Sequence, residues 1–173
     1  MMKRCLIALF MLILPTLSWA LATTMELGVR GGTHANGLDE NYTAGEVYYL
    51  YTLPWQKELG SGRKVYARID AGAGYLYTDA RRGGWVAAGG DLVLSLLDGA
   101  LELECGLRPT WLTEDEFGDD NFGGPVQFSS HVGLTYNIGN TALSYRYQHI
   151  SNAHIYDENP GLDLHLVGLG VRF

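Results

Sequence analysis

The feature that most limits what this chain can become is a two-residue alternation of apolar and polar side chains. From Val126 to Ile138, the residues Val126, Phe128, Val132, Leu134, Tyr136 and Ile138 share one parity, interrupted only by Ser130. Gln127, Ser129, His131, Gly133, Thr135 and Asn137 share the other. The pattern recurs from Gly99 to Trp111, where Leu101, Leu103, Cys105, Leu107, Pro109 and Trp111 oppose Glu102, Glu104, Gly106, Arg108 and Thr110. A helix would scatter these sets around its axis, whereas a strand sorts them onto two faces. A soluble sandwich and a membrane barrel both build such strands, so this pattern alone leaves both open.

The two ends of the chain separate them. Lys3 and Arg4 precede an apolar run from Cys5 to Leu14, which stops at Pro15 and leads into Ser18, Ala20 and Ala22. That is the grammar of a secretory signal peptide over residues 1–20, with cleavage after Ala20 or, alternatively, after Ala22. The run is shorter than the roughly 20 apolar residues a spanning helix needs, and no later segment reaches that length. A chain of this kind enters a membrane only as strands. At the other end Val167, Leu169, Val171 and Phe173 alternate to a terminal aromatic residue, which resembles the last strand of bacterial outer-membrane barrels.

Without the signal, 19 acidic residues face 12 − 2 = 10 basic ones, giving a net charge of about −9 with histidine neutral. Nucleic acid is excluded as a partner, since no basic face is available to hold phosphates. Cys5 lies in the signal, so Cys105 is the single cysteine of the exported chain and no internal disulfide forms.

These readings give an all-β fold: an eight-stranded antiparallel transmembrane β-barrel of up-and-down topology, one domain over residues 21–173. The strands are expected near Thr24 to Gly32, Thr43 to Leu53, Lys64 to Tyr77, Gly84 to Leu97, Gly99 to Trp111, Pro125 to Ile138, Asn140 to Ser151 and Gly161 to Phe173. Asp98-Gly99 and Gly139-Asn140 then form short periplasmic turns, and 33–42, 112–124 and 152–160 form longer outer loops. The connection Pro54 to Arg63 is longer than that asymmetry favours. Eight strands leave an interior filled by side chains, so Glu26, Arg30, Arg68, Asp70, Arg108 and Arg146 are expected to pair inside and no diffusion pore is expected. Tyr48, Tyr49, Tyr51, Tyr75, Tyr77, Trp85, Trp111, Tyr145 and Tyr147 supply aromatic girdles at the two interfaces. Glu114, Asp115, Glu116, Asp119 and Asp120 read as a solvated acidic outer loop; their spacing fits no calcium loop.

The last two segments carry the chemistry. In Ser144-Tyr145-Arg146-Tyr147-Gln148-His149-Ile150-Ser151, the polar set Ser144, Arg146 and Gln148 belongs inside, which turns His149 and Ser151 outward toward lipid. Counting back from Phe173, the same outward parity reaches His165 and Asp163. A hydroxyl becomes a nucleophile when a base takes its proton, and a carboxylate holds the imidazole in the required tautomer. Polar groups facing hydrocarbon cost about 2 to 4 kcal/mol at mid-depth and less near the interface. Ser151, His149 and Asp163 near the outer strand ends are therefore candidate catalytic residues. His154 falls in a loop, and neither it nor His165 receives a role. The five histidines show no metal-ligand spacing, so no metal and no cofactor is expected.

The string His149-Ile150-Ser151-Asn152-Ala153, followed by Asn159-Pro160-Gly161 and an acid at Asp163, resembles the lipid A 3-O-deacylase family of PagL type. The match is close over the last 30 residues and elsewhere rests on architecture, length and export. The resemblance implies a Gram-negative outer-membrane serine esterase that hydrolyses the ester-linked acyl chain at the 3-position of lipid A. It implies Ser151 as nucleophile, His149 as general base and later acid, Asp163 as the orienting group, and Asn152 at the oxyanion hole. The partner it implies is lipopolysaccharide in the outer leaflet, with a second copy of the barrel as a further candidate partner. One position departs from the family pattern: its usual acid is glutamate, and Asp163 is a methylene shorter. The competing reading is a non-enzymatic barrel for adhesion or envelope stability, which would not need Ser151.

Overall fold

The computed structural model describes residues 24–35, 38 and 40–173, so the expected signal peptide lies outside the described residues. Its long strands are β1 (Met25–His34), β2 (Thr43–Gly60), β3 (Arg63–Tyr77), β4 (Arg82–Leu96), β5 (Leu101–Leu112), β8 (Val126–Ile138), β9 (Thr141–Ser151) and β10 (Leu162–Arg172). They close into one antiparallel barrel in the order β1-β10-β9-β8-β5-β4-β3-β2, and β1 pairs back onto β2. The two remaining strands, β6 (Glu116–Phe117) and β7 (Asp120–Asn121), form a small hairpin in the outer loop after β5. Closure leaves no free edge along the wall, the condition a β-structure must meet in hydrocarbon, where no water can satisfy an unpaired backbone group.

The alternation is realised as written. Leu27, Val29, Val47, Val86, Leu107, Val132, Leu143, Val167, Leu169 and Val171 point outward and remain about half exposed, forming an apolar wall around the barrel. Among the described residues no helix is long and apolar enough to cross a membrane. The wall of strands is what meets lipid.

Two expectations about the strands need correction. β2 does not end at Leu53 but continues through Pro54 to Gly60, and turns into β3 at Ser61-Gly62. The expected long periplasmic connection is thus a tight turn at the tip of an extended hairpin, with a register shift between Thr52 and Gln56 where Pro54 interrupts the ladder. Tyr48 and Trp85 are not girdle residues: both are buried inside, Tyr48 donating to Glu26 Oε1 at 2.8 Å.

The interior has two storeys. Toward the periplasm and the midplane lie matched charges. Arg108 Nη1 reaches Glu46 at 2.7 Å and Asp70 at 3.0 Å, Arg146 Nη1 reaches Asp70 at 2.7 Å, and Arg68 Nε reaches Asp91 at 2.9 Å. Arg30 lies 3.4 Å from Glu46, Arg172 reaches Glu26 at 2.9 Å, and Glu104 accepts from both Arg68 and Arg146. The expected interior pairing is present in full. Toward the outer end the lumen instead holds a dry plug of Ala44, Leu76, Trp85, Leu112, Ile150, Leu162, Leu164 and Leu166, capped by Tyr42, Phe117 and Phe122 from the loops. Burial of each large apolar side chain there contributes about 1.5–3 kcal/mol.

The acidic outer loop is only partly solvated. Asp120 is buried and accepts from the Tyr42 hydroxyl at 3.0 Å and the Glu40 amide at 3.2 Å. Burial, together with that carboxylate, raises the Tyr42 phenol above its ordinary range. Glu114 pairs with Arg81 at 3.0 Å on the surface. Asp120 therefore fastens the loops as a lid over the plug, while Glu116 and Asp119 stand exposed to solvent.

Candidate active site

β9 and β10 form the hairpin that carries the candidate residues, and their register sets His149 directly opposite Asp163. Parity sends both side chains outward. His149 Nδ1 lies 2.7 Å from Asp163 Oδ1, with side-chain exposures of 44% and 23%. A carboxylate can only accept, so Nδ1 is the donor of this contact and Nε2 is the ring nitrogen turned away from Asp163. Aspartate thus reaches the imidazole despite its missing methylene, because directly opposed residues on antiparallel strands stand about 4.5–5.5 Å apart at Cβ.

Ser151 stands on the same face of β9, two residues toward the outer rim, roughly 7 Å from His149 by the rise of a strand. Across the next seam of the barrel Phe128 pairs with Ser151, and Ser130 with His149. Behind this face Ile150, Leu162 and Leu164 are fully buried in the plug. The hairpin is therefore backed by packed hydrocarbon, which holds a constellation of side chains better than a mobile loop does.

Gly161 ends the return loop and meets both of its constraints at once. Its φ of +71° lies in the left-handed region, and a Cβ there would come 3.0 Å from His149 Cε1. The Asn159-Pro160-Gly161 turn therefore makes room for the imidazole as well as reversing the chain.

Asn152 is placed differently from its neighbours. Parity turns it inward, where it is fully buried, and its Nδ2 donates to the carbonyls of Phe122 at 2.9 Å and Glu158 at 2.6 Å. Its backbone N–H donates to Asn159 Oδ1 at 3.1 Å. It ties the turn after Ser151 to the lid. Ala153 and His154, which follow, both hold positive φ angles of 52° and 64°. Consecutive left-handed non-glycine residues are costly backbone, of the kind that gathers at functional sites.

The profile of the lipid A 3-O-deacylase (PagL) family matches residues 43–172, three quarters of the chain. The chain belongs to the lipid A 3-O-deacylase family. Among curated relatives, the lipid A deacylase PagL of Bordetella bronchiseptica is 28% identical over 158 residues, covering 86% of this chain and 87% of the relative. Among solved structures, a crystal structure of the outer membrane enzyme PagL superposes with a TM-score of 0.70 at 18% identity, covering 86% of this chain and 98% of that one. That likeness shows the shared fold.

Away from the hairpin, Asp70, Asp91 and His131 bring their ligand atoms within 4.8 Å of one another inside the barrel. The two carboxylates are already matched by Arg68, Arg108 and Arg146, so this deacylase-family chain holds there a knot of ion pairs, where a further cation would meet three guanidinium groups. Of the sequence-derived site residues, the structure brings His149, Asp163 and Ser151 onto one face and turns Asn152 to the other. Sequence reasoning passed over Tyr147 and His165, which share the outward face beside Asp163: register pairs His165 with Tyr147. Outward parity is the signal for both; the girdle reading accounts for Tyr147 and leaves His165 without a role.

Proposed function

We propose that this protein is an outer-membrane esterase that hydrolyses the ester-linked acyl chain at the 3-position of lipid A, through Ser151, His149 and Asp163. The observation that carries the reading is the 2.7 Å contact between His149 Nδ1 and Asp163 on the outward face, one strand pleat from a serine, in a chain of the lipid A 3-O-deacylase family. The substrate lies in the same leaflet as the outer strand ends and would approach sideways through the bilayer. That is why the reactive groups face lipid and no lumenal pocket is needed.

The step runs as follows. His149 Nε2 accepts the Ser151 proton as Oγ adds to the ester carbonyl; the tetrahedral oxyanion collapses, and the sugar oxygen leaves with that proton. That departure bares the 3-hydroxyl of the sugar; water then attacks the acyl-Ser151 ester, its proton passing to His149 and then to Oγ, which releases a free fatty acid. Asp163 fixes the tautomer and offsets the charge on the imidazolium. In this reading Asn152 serves the oxyanion side of the site. Its amide grips two loop carbonyls at rest, so its contribution is to hold the turn after the nucleophile, or to exchange those bonds for the substrate oxygen.

The test is lipid A from cells expressing the wild-type barrel and Ser151→Ala. Wild type should release the 3-linked chain and the variant should not. Intact lipid A from both would remove the proposed activity.

A further inference from the structure

The outward face of the hairpin holds more polar groups than hydrolysis by three residues requires. Below His149 and Asp163, toward the bilayer centre, stand Tyr147 and His165 as a register pair, and then Tyr145 opposite Val167. Tyr145 Oη lies 2.6 Å from His165 Nδ1, and their rings stack at 6.0 Å with an interplanar angle of 24°. The His165 ring in turn packs on Tyr147 at 5.5 Å. Tyr147 stands diagonal to Asp163 across the β9–β10 seam, a separation an aromatic side chain can span, so its hydroxyl is within reach of that carboxylate.

The groups run in sequence: Tyr145 holds His165, His165 braces the Tyr147 ring, and that ring lies diagonal to Asp163, the partner of His149. Tyrosine, with few rotatable bonds, is well suited to such a brace. Groups supporting the orienting carboxylate fix the geometry of the site in the way outer-shell partners fix ligands elsewhere.

Resting on the catalytic reading above, we propose that Tyr147 is a positioning residue. Its hydroxyl holds the short Asp163 carboxylate against His149, with His165 as its packing support. Aspartate has fewer torsions than glutamate but less reach, so the carboxylate depends on an outside donor to keep its angle. A glutamate there, with an extra methylene, could find the imidazole unaided.

The experiment uses the full barrel in detergent micelles with purified lipid A, and measures kcat and KM for release of the 3-linked chain. Tyr147→Phe keeps the ring against His165 and deletes only the donor. The expected result is a kcat lowered about tenfold with KM within twofold, equivalent to about 1.4 kcal/mol. In an Asp163→Glu background, Tyr147→Phe should change kcat less than twofold. Tyr136→Phe, which removes a hydroxyl from the exposed face of β8 far from the site, should leave both constants unchanged. Two results overturn the proposal: an unchanged kcat for Tyr147→Phe, or an equal loss in both backgrounds, which marks a general packing defect. Ser151→Ala, run alongside, separates the two ideas. If it retains turnover, the catalytic reading fails whatever Tyr147 does; if it is inert while Tyr147→Phe is normal, only the positioning role falls.

Discussion

The barrel carries two sets of ionisable side chains, and they obey opposite rules. Inside, Asp70, Asp91, Glu46 and Glu104 are almost fully buried, and each lies against one or more guanidinium groups. Outside, His149 and Asp163 are partly exposed, with Ser151 and His165, on a face built mostly of apolar and aromatic side chains. Burial explains the first set: a charge taken out of water must be paired, and once paired it is inert. Nothing of that kind explains the second, because an apolar residue would suit lipid better. Charge in the lumen is scaffold, and charge on the wall is, in the proposed function, there for a reaction.

Substitutions on the two faces should separate these roles. The largest effect belongs to the wall: His149→Ala, like Ser151→Ala, should lower the rate of acyl release at least 1000-fold, about 4 kcal/mol, while the thermal unfolding midpoint moves little. The lumen should behave in reverse. Arg146→Met takes one guanidinium from both Asp70 and Glu104, leaving them Arg108 and Arg68, and should cost up to about 3–5 kcal/mol of stability, read by chemical unfolding of the refolded barrel. The molecules that remain folded should keep their turnover number. Leu164→Ala, in the plug behind the hairpin, should cost about 2–4 kcal/mol and lower kcat a few-fold, since it loosens the platform under Asp163. The smallest effect is expected from Val132→Ala on the outer wall, under about 1 kcal/mol and without change in rate. A large loss of activity from Arg146→Met in the folded fraction would break the separation.

Much of this was legible in the sequence because period two is a strict geometric rule. It gave the closed barrel, the inward ion pairs and the common face of His149, Ser151 and Asp163. The same rule already placed Asn152 inward, since it adjoins an outward Ser151, but the family pattern drew that residue toward the oxyanion. The plug was hidden because alternation reverses its sense there: Leu162, Leu164 and Leu166 fill the lumen while Asp163 and His165 face outward, so the apolar set is the inward one. The long β2 was hidden because Pro54 normally argues against a strand, and a register shift accommodates it. The brace of Tyr147 and His165 depends on the register of the β9–β10 hairpin, which parity alone does not fix.

The most direct test of the claim that the wall does the chemistry is the mass of lipid A before and after exposure to the purified barrel. Wild type should remove one acyl chain, leaving a free hydroxyl at the 3-position, and Ser151→Ala of equal thermal stability should remove none. Loss of that chain with the serine deleted, or no loss with wild type, would contradict the account.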